Sequence, residues 1–335
     1  MLTPDLKTAI VTEANLAPSV HNTQPARWRF IENRIEIWAD PARFLAIGDP
    51  QLHDAALSCG AALEGTIMAL AERGLQAVRI QDHWSDETLS PAGFRLCASI
   101  NVEDGANPDP LNAFIRQRFT WRGAFLSAAA RHLDQAEQAI SALSAGTLVR
   151  TQEDIEWLAD LNDDLSLKFF SDKPYRDELR LWMRLSRAHP DWDHDGLSAR
   201  AMQMSAIEAI GARVALASPV FEWLNAIGIA KSLISERGHT LSASGIVLFH
   251  VPHDVSPVEA GRSFYRMWLE LTRAGLVAWP MAVVADDPAS NGACQARFAI
   301  PQDHRLINLL RVGACENPSA RPDTARLSVE QLILD

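Results

Sequence analysis

Two stretches about 200 positions apart repeat one another, and this repetition constrains the fold more than any other feature. Cys59-Gly60-Ala61-Ala62 through Arg73-Gly74-Leu75 aligns without gaps on Ala260-Gly261-Arg262-Ser263 through Ala274-Gly275-Leu276. Gly60 falls on Gly261, Leu70 on Leu271, and both stretches leave through the same Gly-Leu pair. Each reads as a helix, and a strand is expected before and after each. A period this long implies a duplicated half rather than a short solenoid repeat. The small residues at the start of each helix would let another backbone approach closely.

The rest of the chain is consistent with two such halves. Leu6, Ile10 and Ala14 recur at helical spacing behind Pro4, and Pro18 is expected to end that helix. Residues 18–25 are polar and bounded by prolines, so they read as a loop. Trp28, Phe30, Ile35, Ile37 and Trp38 suggest two short strands around a turn at Glu32-Asn33. Leu52, Ala56, Cys59, Leu63, Ile67 and Leu70 predict a helix over 51–74, with Gly74 as its C-terminal cap. Residues 78–80 and 94–102 alternate as strands. The stretch 105–110, Gly-Ala-Asn-Pro-Asp-Pro, is a linker by composition, which divides the chain into 1–108 and 109–335. A helix opening at Asp109-Pro110 is expected to carry Leu111, Phe114, Ile115 and Arg118. Residues 130–235 read mostly as helices, broken at Lys173-Pro174 and at 189–196. Strands are expected at Ile246–Phe249 and Ile307–Val312, and an apolar strand from Gly275 through Val284.

At 335 residues the chain can bury a sizeable core without staples. Its 31 Lys and Arg against 42 Asp and Glu give a net charge of −11, which disfavours nucleic acid as a partner. The longest apolar run, Ala274 to Ala285, is interrupted by Gly275 and Pro280 and is too short to span a bilayer. Residues 1–7 show no basic and apolar leader pattern, and the four cysteines are scattered, so a reducing cytoplasm is expected. No Cys-x-x-Cys pair, G-x-G-x-x-G fingerprint, G-x-S-x-G elbow or H-E-x-x-H pair occurs. The acidic stretch 191–195 has metal-ligand chemistry but reads as a solvated loop, and no metal is expected.

Two stretches carry chemistry. Pro18-Ser19-Val20-His21-Asn22-Thr23-Gln24-Pro25 presents a hydroxyl, two amides and backbone groups on a restrained loop. Amides both donate and accept, which suits the edge of a heteroaromatic ring. The same residues also suit an Asx-type turn closing a helix. In Arg116-Gln117-Arg118-Phe119-Thr120-Trp121-Arg122, the spacing of Arg118 and Arg122 gives them one face of a helix. A phosphate there would turn their repulsion into charge-assisted bonds. A solvated basic face is the alternative.

Taken together, Pro-Ser-x-x-Asn-x-Gln-Pro after a helix and Arg-x-Thr-x-Arg opening a second unit resemble the nitroreductase superfamily of flavoproteins, in its twin-domain Acg type. The resemblance covers most of the chain. It implies an α+β fold in which two nitroreductase-like halves, each a mostly antiparallel sheet flanked by helices, form an internal pseudo-dimer. It implies one FMN site per chain, because the first half has the loop and the second the Arg-x-Thr-x-Arg element. Arg118, Phe119, Thr120 and Arg122 then fall on phosphate and ribityl positions, and Arg326 on a C-terminal basic position closing on the phosphate. Pro18, Ser19, Val20 and Asn22, with Gln24 beside them, fall on the loop facing the flavin ring. Pro280, Met281, Ala282 and Val283 take the place of a segment approaching flavin N5, without the family's usual Glu-Gly. His239 takes the place of a basic residue near N1 and O2. The implied function is an FMN-dependent oxidoreductase with NAD(P)H as donor and a flat acceptor such as a nitro-compound or quinone. No side-chain acid or base is invoked. FMN storage with little turnover, flavin modification and dehalogenation are the alternatives, and a lid over 170–200 would favour storage. The implied assembly is a monomer, with its internal pseudo-dimer, or a homodimer that binds small molecules and neither nucleic acid nor membrane.

Overall fold

The computed structural model describes residues 2–90, 92–316 and 325–335. Helix α1 (Pro4–Ala14) opens on the Thr3 side chain, which accepts from the Leu6 N–H, with Pro4 in its first turn. It ends earlier than Pro18 predicts. The Asn15 side chain donates to Gln24 Oε1 at 3.0 Å, so a contact distant in sequence stops the helix. Strands β1 (Ala26–Ile31) and β2 (Arg34–Ala39) form the expected hairpin, with Glu32 in the left-handed region (φ 50°). Helix α2 (His53–Ala71) is buried along nearly its whole length, and β3 (Leu75–Asp82) and β4 (Arg95–Asp104) follow.

The second half begins with a single turn, α3 (Asn112–Ile115), in place of the longer helix expected through Arg118. Then come α4 (Ala130–Ala142), β5 (Thr147–Val149), α5 (Gln152–Ser171) and α6 (Lys173–Trp182). A two-strand ribbon, β6 (Met183–Arg184) with β7 (Leu197–Ser198), frames the turns at 189–196. Helices α7 (Ala206–Ala215), α8 (Val220–Ala226), α9 (Ala230–Ile234) and α10 (Arg237–Ser242) lead to β8 (Gly245–Pro252) and α11 (Pro257–Arg273). Strand β9 (Val277–Pro280) is shorter than the apolar run suggests. The chain turns at Met281 into α12 (Ala282–Asp286), then α13 (Pro288–Arg297), β10 (His304–Gly313), α14 (Val329–Leu332) and β11 (Ile333–Leu334).

The sheets display the duplication directly. One runs β11-β1-β2-β4-β3 and the other β5-β8-β10-β9. With β11 set aside, the two orders are the same, and every pairing within them is antiparallel. Helix α2 joins β2 to β3 as α11 joins β8 to β9. Both helices leave through a left-handed glycine, Gly74 (φ 72°) and Gly275 (φ 79°). The fold is α+β with two like halves. The tail 325–335 returns to the first sheet, where β11 pairs with β1 in parallel and Leu327 and Leu332 join the core of Ile10, Trp28 and Ile37.

The halves meet where α2 and α11 cross. A Cβ on Gly60 would lie 1.9 Å from the Val258 carbonyl oxygen, and one on Gly261 would lie 2.2 Å from that of Leu57. Each glycine thus receives the other helix's backbone, as expected of a pseudo-twofold contact. Helix α2 has the length and apolarity to cross a membrane, but 83% of its apolar window is buried in protein. The main asymmetry lies between the first two strands of each half. A tight hairpin turn joins β1 to β2, whereas residues 150–244 separate β5 from β8. That long insertion supplies one wall of the cavity described next.

Candidate active site

Between the halves lies a cavity of about 330 Å³. Its walls bring together the two stretches singled out in the sequence. Pro18, Ser19, Val20, His21 and Asn22 approach from the first half, and Arg118, Phe119, Thr120 and Arg122 from the second. Arg326 comes from the tail, and Pro280, Met281, Ala282 and Val283 from the turn between β9 and α12. Gln24 and His239 are not in the lining. Gln24 is buried behind the loop, and the His239 ring packs on Trp279 with ring centres 5.3 Å apart.

The loop is held in an uncommon conformation. His21, Asn22 and Gln24 all have positive φ, at 45°, 55° and 51°. Non-glycine residues adopt this region only when their surroundings compel it. Here the loop's side chains make the compelling bonds. Asn22 Nδ2 donates to the carbonyls of Gly196 (3.2 Å) and Ala325 (3.1 Å), and Asn22 Oδ1 accepts from Arg326 Nη1 at 2.9 Å. Gln24 Oε1 accepts from Asn15 and from the Leu327 N–H, while its Nε2 donates to the His194 carbonyl. Ser19 Oγ accepts from the Gln24 N–H, and Ser58 Oγ from the Val20 N–H. Much of the amide capacity read from the sequence therefore builds the loop. Burial, together with the Arg122 charge, pushes His21 down to about 4, so its ring is neutral at neutral pH.

Arg118, Thr120 and Arg122 do not lie on a helix, because α3 ends at Ile115. The segment instead runs alongside β9, with Thr120 bridged to Ala278 and the Trp121 N–H donating to the Ala278 carbonyl at 3.0 Å. The three residues still reach one cavity, because alternate residues of an extended segment share a side. Arg118 is buried over the rings of Trp268 (4.8 Å) and Tyr265 (5.8 Å) and donates to the Leu16 carbonyl. Arg122 lies over Trp279 at 5.6 Å. Among the described residues, Arg122 makes no hydrogen bond or ion pair. Burial and the charge of Arg311 lower its pKa, against an opposing pull from Glu236. Arg326 Nε donates to the Asn15 carbonyl.

The structure adds residues that the sequence reading missed. Asn162 on α5 and Asn308 on β10 line the cavity and are 1% and 7% exposed. Among the described residues, Asn162 Nδ2 and Asn308 Oδ1 have no hydrogen-bond partner. Buried polar atoms are nearly always paired, so these two point to a polar ligand. Their signal in the sequence is an amide that interrupts a buried stripe. Asn162 falls among Ile155, Leu158, Ala159 and Leu165, and Asn308 lies between Ile307 and Leu309. Asp54, Ser58 and Tyr175 line the wall nearest α2 and α6. Burial and the charge of Asp49 raise Asp54 to about 7.

Residues 170–202 form another wall, through Phe170, Tyr175, Leu179, Met183, Leu197 and Met202. Several bonds tie this cover to the first half. Glu178 accepts from the N–H groups of Ile47 and Gly48. Asp195 holds Arg43 at 2.9 Å and Arg184 at 2.6 Å. No cluster of three metal-ligating side chains occurs among the described residues.

No family model matches the chain. It is 32% identical over 183 residues to "Putative NAD(P)H nitroreductase Rv3131" of Mycobacterium tuberculosis, covering 53% of this chain and 52% of that protein. It is 36% identical over 77 residues to "Putative NAD(P)H nitroreductase acg" of the same species, covering 23% of each. The matched region thus spans about half the length of the first relative and less of the second. Among solved structures, the FMN and NADPH-dependent nitroreductase NfnB from Sphigopyxis sp. strain HMH overlays with a TM-score of 0.38 at 18% identity, over 68% of this chain and 98% of that one. The resemblance to the nitroreductase superfamily thus holds in curated relatives over about half of this chain, and to acg itself over 23% of it.

Proposed function

We propose that the chain is an FMN-dependent oxidoreductase of nitroreductase type, with NAD(P)H as donor and a flat acceptor such as a nitro-compound or quinone. The observation that carries this reading is the single cavity into which the Pro18–Asn22 loop and the Arg118–Arg122 segment both project from opposite halves. The walls fit the cofactor on three counts. Asn162 and Asn308 offer an unsatisfied donor and acceptor. Arg122 is a half-buried cation with no hydrogen bond or ion pair among the described residues. The volume lies within the range of about 300–1,000 Å³ usual for ligand sites.

In this reading Arg118, Arg122 and Arg326 hold the phosphate, and Thr120 bonds the phosphate or the ribityl chain. Residues 18–22, residues 280–283 and the two orphaned amides surround the ring. FMN, when bound, supplies the hydride chemistry, and the protein supplies binding, orientation and electrostatics. The cover formed by 170–202 excludes water and limits which acceptors can enter. Its ties through Glu178 and Asp195 also support the second reading, an FMN-holding protein with little turnover. Steady-state oxidation of NADH and NADPH, with and without a nitroaromatic or a quinone, separates the two. Acceptor-dependent oxidation by flavin-loaded protein supports the first, and bound flavin without turnover supports the second.

A further inference from the structure

The end of the cavity beneath α6 holds a carboxyl group that neither FMN binding nor the bonds of the loop explain. Asp54, in the first turn of α2, lines the cavity beside Ser58 and Tyr175. Its side chain takes part in no ion pair or hydrogen bond among the described residues. The nearby Asp49 carboxylate is already engaged as the cap of α2, accepting from the Ala55 N–H at 2.8 Å. Burial raises the pKa of Asp49, and the N–H groups at the helix start pull it back down; Asp49 thus uses the donors that would otherwise stabilise an ionised Asp54. Asp286, at the end of α12, lies outside the cavity lining; burial together with the charges of Asp54 and Asp49 raises it to about 8, so it is itself neutral at pH 7. Tyr175 and Glu178 face the group from α6, His53 precedes it on α2, and His21 lines the same cavity from the loop. His21 is neutral at neutral pH, and no cation pairs with Asp54 among the described residues. Like-charged carboxyls that share a site cannot all ionise, so one retains its proton near neutrality. Independently, the unpartnered Asn162 Nδ2 and Asn308 Oδ1 show that this cavity takes a polar ligand.

We propose that the Asp54 carboxyl is the proton donor to the acceptor that shares this cavity. The proposal rests on the oxidoreductase reading above. Reducing a neutral acceptor by two electrons to a neutral product takes up one hydride and one proton. For a quinone, the hydride, drawn from NAD(P)H, adds to one carbonyl oxygen. The ring electrons shift, and the second oxygen becomes an oxyanion. That oxygen takes the proton from Asp54: the carboxyl O–H bond breaks and a phenolic O–H forms. Solvent then reprotonates Asp54. The overall change is NAD(P)H, H⁺ and quinone giving NAD(P)⁺ and hydroquinone. Asp49 acts as a positioning residue, because its charge beside Asp54 favours the protonated carboxyl.

The test uses FMN-loaded protein and its Asp54→Asn, Asp54→Glu and Asp49→Asn variants. In stopped flow, the step driven by NADPH and the later oxidation by a quinone are followed separately from pH 5.5 to 9.5. The quinone step of the wild type is expected to fall as pH rises through about 7. Asp54→Asn should slow it by about 10²-fold or more and flatten its pH profile, while flavin content and the NADPH step hold. Asp54→Glu should restore much of the rate, and Asp49→Asn should move the falling limb to lower pH. Independently of turnover, infrared difference spectra of wild type against Asp54→Asn should show a protonated carboxyl at pH 7. An unchanged quinone step in flavin-replete Asp54→Asn, or the absence of that carboxyl signal, overturns the proposal alone. Wild-type protein that takes up no FMN and oxidises no NAD(P)H overturns the parent reading as well.

Discussion

Replacing Arg122 by glutamine tests the phosphate site with little disturbance of the fold. Its guanidinium makes no hydrogen bond or ion pair among the described residues, and its main contact is the Trp279 ring at 5.6 Å. Losing that cation–π contact costs about 0.5–1 kcal/mol, partly offset by removing a buried charge close to Arg311. A charge-assisted bond to a phosphate is worth about 1.5–3 kcal/mol, or about ten- to a hundredfold in affinity. Arg122→Gln should therefore weaken FMN binding by about that factor with little change in melting temperature. Arg118→Gln should lower both, since Arg118 also donates to the Leu16 carbonyl and stacks on Trp268 and Tyr265. Arg116 is exposed and outside the cavity lining, so Arg116→Gln should bind FMN nearly as the wild type does. Titration of apo-protein with FMN by flavin fluorescence, with thermal melts of the same preparations, reads both quantities. Wild-type affinity in Arg122→Gln, or an equal loss in Arg116→Gln, would refute the assignment of the phosphate end.

Other predictions address the frame around the site. Gly60→Ala places a Cβ against the Val258 carbonyl and should destabilise the protein by about 3 kcal/mol or more, as read by chemical denaturation, whereas Gly211→Ala meets no neighbour and should not destabilise it. Asp195→Asn leaves buried Arg184 with only the Asp191 carboxylate at 4.0 Å and should cost up to about 3 kcal/mol; limited proteolysis should then cut 170–202 faster than in the wild type. The pKa of His21 is depressed when folded, from 6.5 to about 4, so the unfolded chain binds the proton more readily. Stability should decline as pH falls through that window, and His21→Gln should flatten the decline when denaturation midpoints at pH 7 and pH 5 are compared.

What was legible in the sequence was local or repeated. The helix pair with matching Gly-Leu exits announced two halves, and the strand orders agree with it. The proline-bounded loop was visible because no regular period fits residues 18–25. Arg118, Thr120 and Arg122 line one cavity, but on an extended segment rather than on the helix expected. Arginines four apart share a face on a helix, but on an extended segment so do residues at every second position, and spacing alone does not separate the two. The end of α1 was misplaced because the contact that stops it, Asn15 to Gln24, closes only when the loop folds back. Asn162, Asn308 and Asp54 escaped notice for a related reason. A buried polar residue has meaning only through the partners it has or lacks, and those come from elements more than a hundred positions apart. The ties of Asn22 to Gly196 and Ala325 were hidden in the same way.

The most direct test of the central claim is the amount of FMN bound per chain in purified protein, read from its visible spectrum and released flavin. One divided site, with its loop from the first half and its arginines from the second, predicts a yellow protein holding about one FMN per chain. A colourless protein that takes up no added FMN would contradict the account, and two FMN per chain would contradict the division of the site between the halves.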